Sequence, residues 1–175
     1  MDEKKQLDQL LNKLRAAVLG ANDGIVSVAG VIIGVAAAGS EKSVIAIAGI
    51  AALASGAVSM AGGEYVSVAA QRDAEHGHGR EKHEVVASPI AAALASFFAF
   101  LAGGLLPLAS MLLSGDTGMG MIYTAGSVVL ALVLTGFFAA KAGRSSVLTG
   151  MRRNVAVSVL TIGISYSVGM LLGFS

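Results

Sequence analysis

Residues 44 to 70 read VIAIAGIAALASGAVSMAGGEYVSVAA, an unbroken apolar run with one charge in it, Glu64. A helix needs about 20 such residues to cross the hydrocarbon of a bilayer, so this stretch is read as a transmembrane helix. The same test carried outward finds four more, giving spans near 16–38, 44–70, 88–113, 120–142 and 153–174. The expected fold is therefore an all-α polytopic membrane protein. Its five spans form one domain over 16–175, joined by short connectors that leave no room for a soluble domain.

Composition agrees with the spans. Hydrophobic residues are 55% of the 175 positions and charged residues 13%, where a soluble domain carries about 25% charge. The mean hydropathy is +0.76. The 23 glycines, many beside Ala or Ser, suit helix contacts in lipid, where small residues let backbones approach. Gly20 with Gly24, Gly30 with Gly34, and Gly169 with Gly173 have the spacing such contacts use. With no cysteine, disulfide frameworks, thiolate metal sites and cysteine catalysis drop out. A net charge of +1 gives no footprint for nucleic acid. No nucleophile set, phosphate-cradling loop or zinc-hydrolase motif is present, so no enzyme activity and no resident cofactor are expected.

The basic residues are placed by topology. Lys4, Lys5, Lys13, Arg15, Arg72, Arg80, Lys82, Lys141, Arg144, Arg152 and Arg153 fall on one side if the spans alternate, and Lys42 on the other. The positive-inside rule then puts the N-terminus in the cytoplasm and the C-terminus outside. Lys141, Arg144, Arg152 and Arg153 read as interfacial anchors. The first fifteen residues do not resemble a cleaved signal. Leu7, Leu10, Leu11 and Leu14 recur at helical spacing among charges, which predicts a separate amphipathic helix over 1–15, either on the cytoplasmic membrane surface or against a neighbouring subunit. Without a eukaryotic targeting segment, a prokaryotic plasma membrane is the expected location.

Two acids stand within the spans away from their ends, Asp23 and Glu64, and a charge near the bilayer centre costs at least about 2.5 kcal/mol. With a rise of about 1.5 Å per residue, both fall roughly 10 Å inside the cytoplasmic boundary, on antiparallel neighbours. Met60 lies one turn deeper than Glu64 on the same face, Ser67 and Gln71 continue that face outward, and Ser27 is one turn deeper than Asp23. Asn22 completes this candidate path lining. Carboxylates, hydroxyls and a thioether can replace the water shell of a divalent cation, and the soft sulfur tilts preference toward Fe, Co, Ni or Zn, with Mn allowed. Two acids at one depth resist double ionisation, so metal entry would release a proton and supply antiport coupling. Asn22-Asp23-Gly24 is also a good turn, and Asp23 could instead cap a shorter span starting at Gly24. A methionine such as Met60, taken alone, is more often core packing than a ligand.

These residues resemble the vacuolar iron transporter family. The resemblance rests on Ala21-Asn22-Asp23-Gly24-Ile25-Val26-Ser27, on Ser59-Met60-Ala61-Gly62-Gly63-Glu64-Tyr65-Val66-Ser67 followed by Gln71-Arg72-Asp73, and on Pro89 with Ala95-Ser96-Phe97. It implies a five-span homodimer in which spans one and two of both subunits line an ion path, exchanging Fe(II) for protons and moving it out of the cytosol. The family's intramembrane aspartate and methionine fall on Asp23 and Met60, and the glutamate of its Gly-Glu-Tyr motif on Glu64. A two-fold axis would bring four acids together in place of two.

The sequence departs from many family members between spans two and three, where a long Glu-rich metal-binding domain is replaced by a short loop, 71–87. It holds Glu75, His76, His78, Glu81, His83 and Glu84, with all three histidines of the chain. These could form an accessory site for Fe, Ni, Zn or Co, or a solvated linker, since Arg80 and Lys82 repel cations. The reading the sequence favours is a proton-coupled Fe(II) transporter, with Mn(II) and related ions as further substrates. The alternative is a non-transporting membrane subunit that senses or buffers metal through the histidine loop.

Overall fold

The computed structural model describes residues 3–77, 88–142 and 146–173. Over them the chain is all-helical: α1 (Glu3–Ala37), α2 (Lys42–Gly77), α3 (Pro89–Leu113), α4 (Thr117–Ala142) and α5 (Val147–Gly173). All five are long and apolar enough to cross a membrane. The protein is thus an integral membrane protein, as the apolar runs predict.

The N-terminal expectation needs correction. Residues 3–15 do not make a separate interfacial helix, because α1 continues unbroken from Glu3 to Ala37. Asn12 to Val18 contain neither proline nor glycine, so nothing local ends the helix. Gly20 and Gly24 then stay helical because they lie against α3. The amphipathic pattern is the polar end of one long helix. Similarly, α2 runs past Ala70 to Gly77, so 71–77 is helix where a loop was expected.

α1 is the central element and packs on all four others, most extensively on α3. Small residues make that possible. A Cβ added at Gly20 or Gly24 would collide with the backbone carbonyls of Ser96 and Phe100, and one at Gly103 with that of Ala21. The α1–α5 contact is built the same way, with Gly169 lying against the carbonyl of Gly34. The three glycine pairs singled out by spacing are therefore contact surfaces. Above them the core gathers Val28 and Ile32 of α1, Ile45 and Leu53 of α2, and Phe100 and Met111 of α3. A second cluster joins Ile25 and Ala29 to Val128 and Leu132 of α4.

The connections fix the helix order. Gly39 takes a left-handed φ of 78° after α1, with Ala38 N–H donating to Gly34 O at 3.1 Å, a common helix ending. Nothing lies within 4 Å of a Cβ built there, so Gly39→Ala tests backbone strain alone. It should destabilise by about 1 kcal/mol, read as a small fall in thermal midpoint in detergent. Asp116 caps α4 by accepting from Met119 N–H at 2.9 Å. Lys42 donates to Ser114 O at 2.5 Å, tying the α1–α2 turn to the α3–α4 turn at one end of the bundle.

Candidate functional site

The α-helical repeat places Arg15, Leu19, Asp23, Ser27 and Val31 in one stripe, each a turn from the last. This stripe faces α2 across a groove of about 520 Å³, whose α2 wall carries Ser59, Met60, Gly63, Glu64 and Ser67. Gly62 and Gly63 leave open space where side chains would stand. A water's share of liquid volume is about 30 Å³, so a hydrated ion fits.

Asp23 lies inside α1, not at its start, so it is not a cap. Its Oδ1 accepts from Ser27 Oγ at 2.7 Å, which leaves further lone pairs of an exposed carboxylate directed to the groove. Met60 has two faces, since it packs against the α1–α2–α3 core and also lines the groove. Ser27 and Ser67 line the same groove.

Glu64 is the buried member, at 4% exposure. A bare carboxylate there would be costly, and Arg15 resolves it: its Nη2 lies 2.5 Å from Glu64 Oε1. The Arg15 side chain is 53% exposed, and the same Nη2 reaches Asn12 Oδ1 at 3.4 Å. Sequence reasoning counted Arg15 only as a cytoplasmic positive charge. The signal that could have found it was its position two turns before Asp23, on the same face.

Two expected path residues lie elsewhere. Asn22 accepts from Thr135 Oγ1 of α4 at 2.8 Å and lines a different pocket, with Arg153 and Asn154. It ties α1 to α4. Gln71 is outside the groove lining and donates to Glu75 Oε1 at 3.2 Å, one turn on. His76 is within α2, and His78, Glu81, His83 and Glu84 fall outside the described residues. Among the described residues, no three His, Cys, Asp or Glu come together as a metal-holding group. The groove thus offers two carboxylates, a thioether and hydroxyls from one chain.

A helical membrane protein with an acid- and thioether-lined groove between its first two spans is the class that this fold and site define. The chain belongs to the VIT family, whose profile matches residues 14–87 and 74–170. It is 36% identical over 181 residues to "Vacuolar iron transporter homolog 1" of Arabidopsis thaliana, covering 99% of this chain and 90% of that protein. It is 38% identical over 168 residues to "Vacuolar iron transporter homolog 4" of the same plant, covering 91% and 84%. "Vacuolar iron transporter homolog 5" of Oryza sativa subsp. japonica is 39% identical over 164 residues, covering 89% and 78%. This is a family of transporters, not enzymes.

Proposed function

We propose that the protein is a proton-coupled transporter of Fe(II), with Mn(II) and related divalent ions as further substrates, moving metal out of the cytosol. The observation that carries this reading is the shared groove, in which Asp23, Met60 and Glu64 stand on facing walls of α1 and α2. The names of the relatives support iron as cargo.

Asp23 and Glu64 would take the ion's charge, the hydroxyls of Ser27 and Ser67 would replace part of its water, and Met60 would favour softer ions over Mg(II) and Ca(II). Carboxylates must be deprotonated to bind a metal, so ion entry and proton release are linked. Two acids from one chain make a thin cage. A second copy facing the first would double the donors, which supports a homodimer with the path at its interface. The charge asymmetry of the connectors supports a cytoplasmic N-terminus and a C-terminus on the opposite side of the membrane. The sensing alternative places binding in the histidine loop and gives the groove acids no task.

The test is flux into liposomes holding a metal-sensitive dye, across a panel of Fe(II), Mn(II), Zn(II) and Mg(II), with and without a pH gradient. We expect Fe(II) and Mn(II) to enter, acceleration when the dye-side lumen is acidic, and Mg(II) to be excluded. Metal binding without flux, abolished by replacing His76, His78 and His83, would favour the sensing subunit instead.

A further inference from the structure

Arg15 places a permanent positive charge where the transported cation has to bind. We infer that its guanidinium is a tethered counter-cation of Glu64 that an incoming divalent ion must displace, so that Arg15 sets both the apparent affinity of the groove and its preference for divalent over monovalent ions. This inference rests on the transport reading and names a selectivity residue within the same site.

Three observations carry it. Glu64 is 4% exposed and its Oε1 is in contact with Arg15 Nη2, so no ion can ligate that oxygen along this direction without moving the arginine. A guanidinium does not lose its charge at any working pH, so it can leave only by swinging away. The geometry allows that: the side chain is 53% exposed, and Asn12 Oδ1, one turn nearer the helix N-terminus, already stands 3.4 Å from the same nitrogen. Asn12 is thus an acceptor on which Arg15 can settle once Glu64 is taken.

Charge counting then gives selectivity. With both carboxylates ionised, the state that binds metal, Arg15, Asp23 and Glu64 together hold one net negative charge facing the groove. A sodium or potassium ion that replaced the guanidinium would only exchange one positive charge for another and would lose a directional hydrogen bond. A divalent ion brings a second charge and can engage Asp23 as well, so it alone gains from the exchange. The guanidinium therefore acts as a threshold that monovalent ions do not pass.

The experiment compares wild type, Arg15→Gln and Arg15→Lys in dye-loaded liposomes, fitting KM and maximal Mn(II) flux separately, with and without a large excess of sodium. Arg15→Gln should lower KM by up to about fivefold, the scale expected for a half-exposed ion pair, and should make flux sensitive to sodium, while Arg15→Lys lies between. An unchanged or higher KM in Arg15→Gln, with sodium still without effect, would overturn the inference. Because that variant could fold poorly, wild type supplies a second readout: Mn(II) should speed the modification of Arg15 by phenylglyoxal, followed by mass spectrometry. Slower or unaltered labelling counts against displacement. A wild type that moves no metal at all would overturn the transport reading itself, a result distinct from wild-type flux with an indifferent Arg15.

Discussion

Liposomes carrying Asp23→Asn should take up Fe(II) or Mn(II) about a hundredfold more slowly than wild type, the upper scale for disturbing a metal's immediate surroundings, while the protein remains as stable. Asparagine has the size of aspartate and keeps an oxygen that can accept from Ser27 Oγ, so the 2.7 Å bond within α1 is retained. What disappears is the negative charge, and hard or borderline divalent ions bind a neutral amide far more weakly than a carboxylate. Because Asp23 is exposed to the groove, removing its charge strands no buried partner. Glu64→Gln should behave differently, since Glu64 is 4% exposed and neutralises Arg15. That variant should lose flux and some thermal stability, since the charge-assisted bond from Arg15 becomes a weaker one to a neutral amide. The contrast separates an acid that is open to the groove from one that Arg15 already holds. Full-speed Fe(II) flux through Asp23→Asn would sink the assignment of Asp23 to the ion path.

How far the sequence could be read depended on whether a property is local. The five spans follow from apolar length, which each run states by itself. The helix contacts at Gly20, Gly24 and Gly169 follow from spacing, because only close backbone approach rewards a missing Cβ in lipid. Asp23, Met60 and Glu64 could be grouped because depth is set by counting residues along neighbouring antiparallel helices. Azimuth between helices cannot be counted in that way. Asn22 is adjacent to Asp23 in the chain yet points 100° around the helix, and it is Thr135, 113 residues away, that shows where it faces. Arg15 was hidden by a general rule that explained it too soon: positive-inside accounts for a basic residue near a span end without asking what the side chain touches. Continuity of α1 was missed for a related reason. A change from amphipathic to apolar pattern marks a change of solvent, and a single helix can pass through it.

The largest structural effect is expected at Gly24. A Cβ there would strike the carbonyl of Phe100, while the facing Gly104 would meet Leu53 Cδ1 at 2.6 Å and Val28 Cγ2 at 2.8 Å. The α1–α3 seam has no slack on either side. Gly24→Leu must push α3 away over the most extensive contact in the bundle, separating Val28 and Ile32 from Phe100 and Leu108 of the core. Overpacking of a tight interior typically costs about 1–3 kcal/mol and sometimes more, and here the obstacle is backbone, which cannot rotate aside. A loss of about 3 kcal/mol or greater is therefore expected, seen as a collapsed monodisperse peak and a much lower thermal midpoint in detergent. Gly126→Leu is the matched control, because nothing lies within 4 Å of its added Cβ, and it should leave both measurements near wild type. The same displacement would also carry Asp23, the preceding residue, away from the α2 wall. Any Gly24→Leu protein that survives purification should then show weakened metal flux with its acids intact, so that positioning of the groove, and not its chemistry alone, is what the glycine seam provides. A variant as stable and as active as Gly126→Leu would mean that α1 and α3 are not held at this distance.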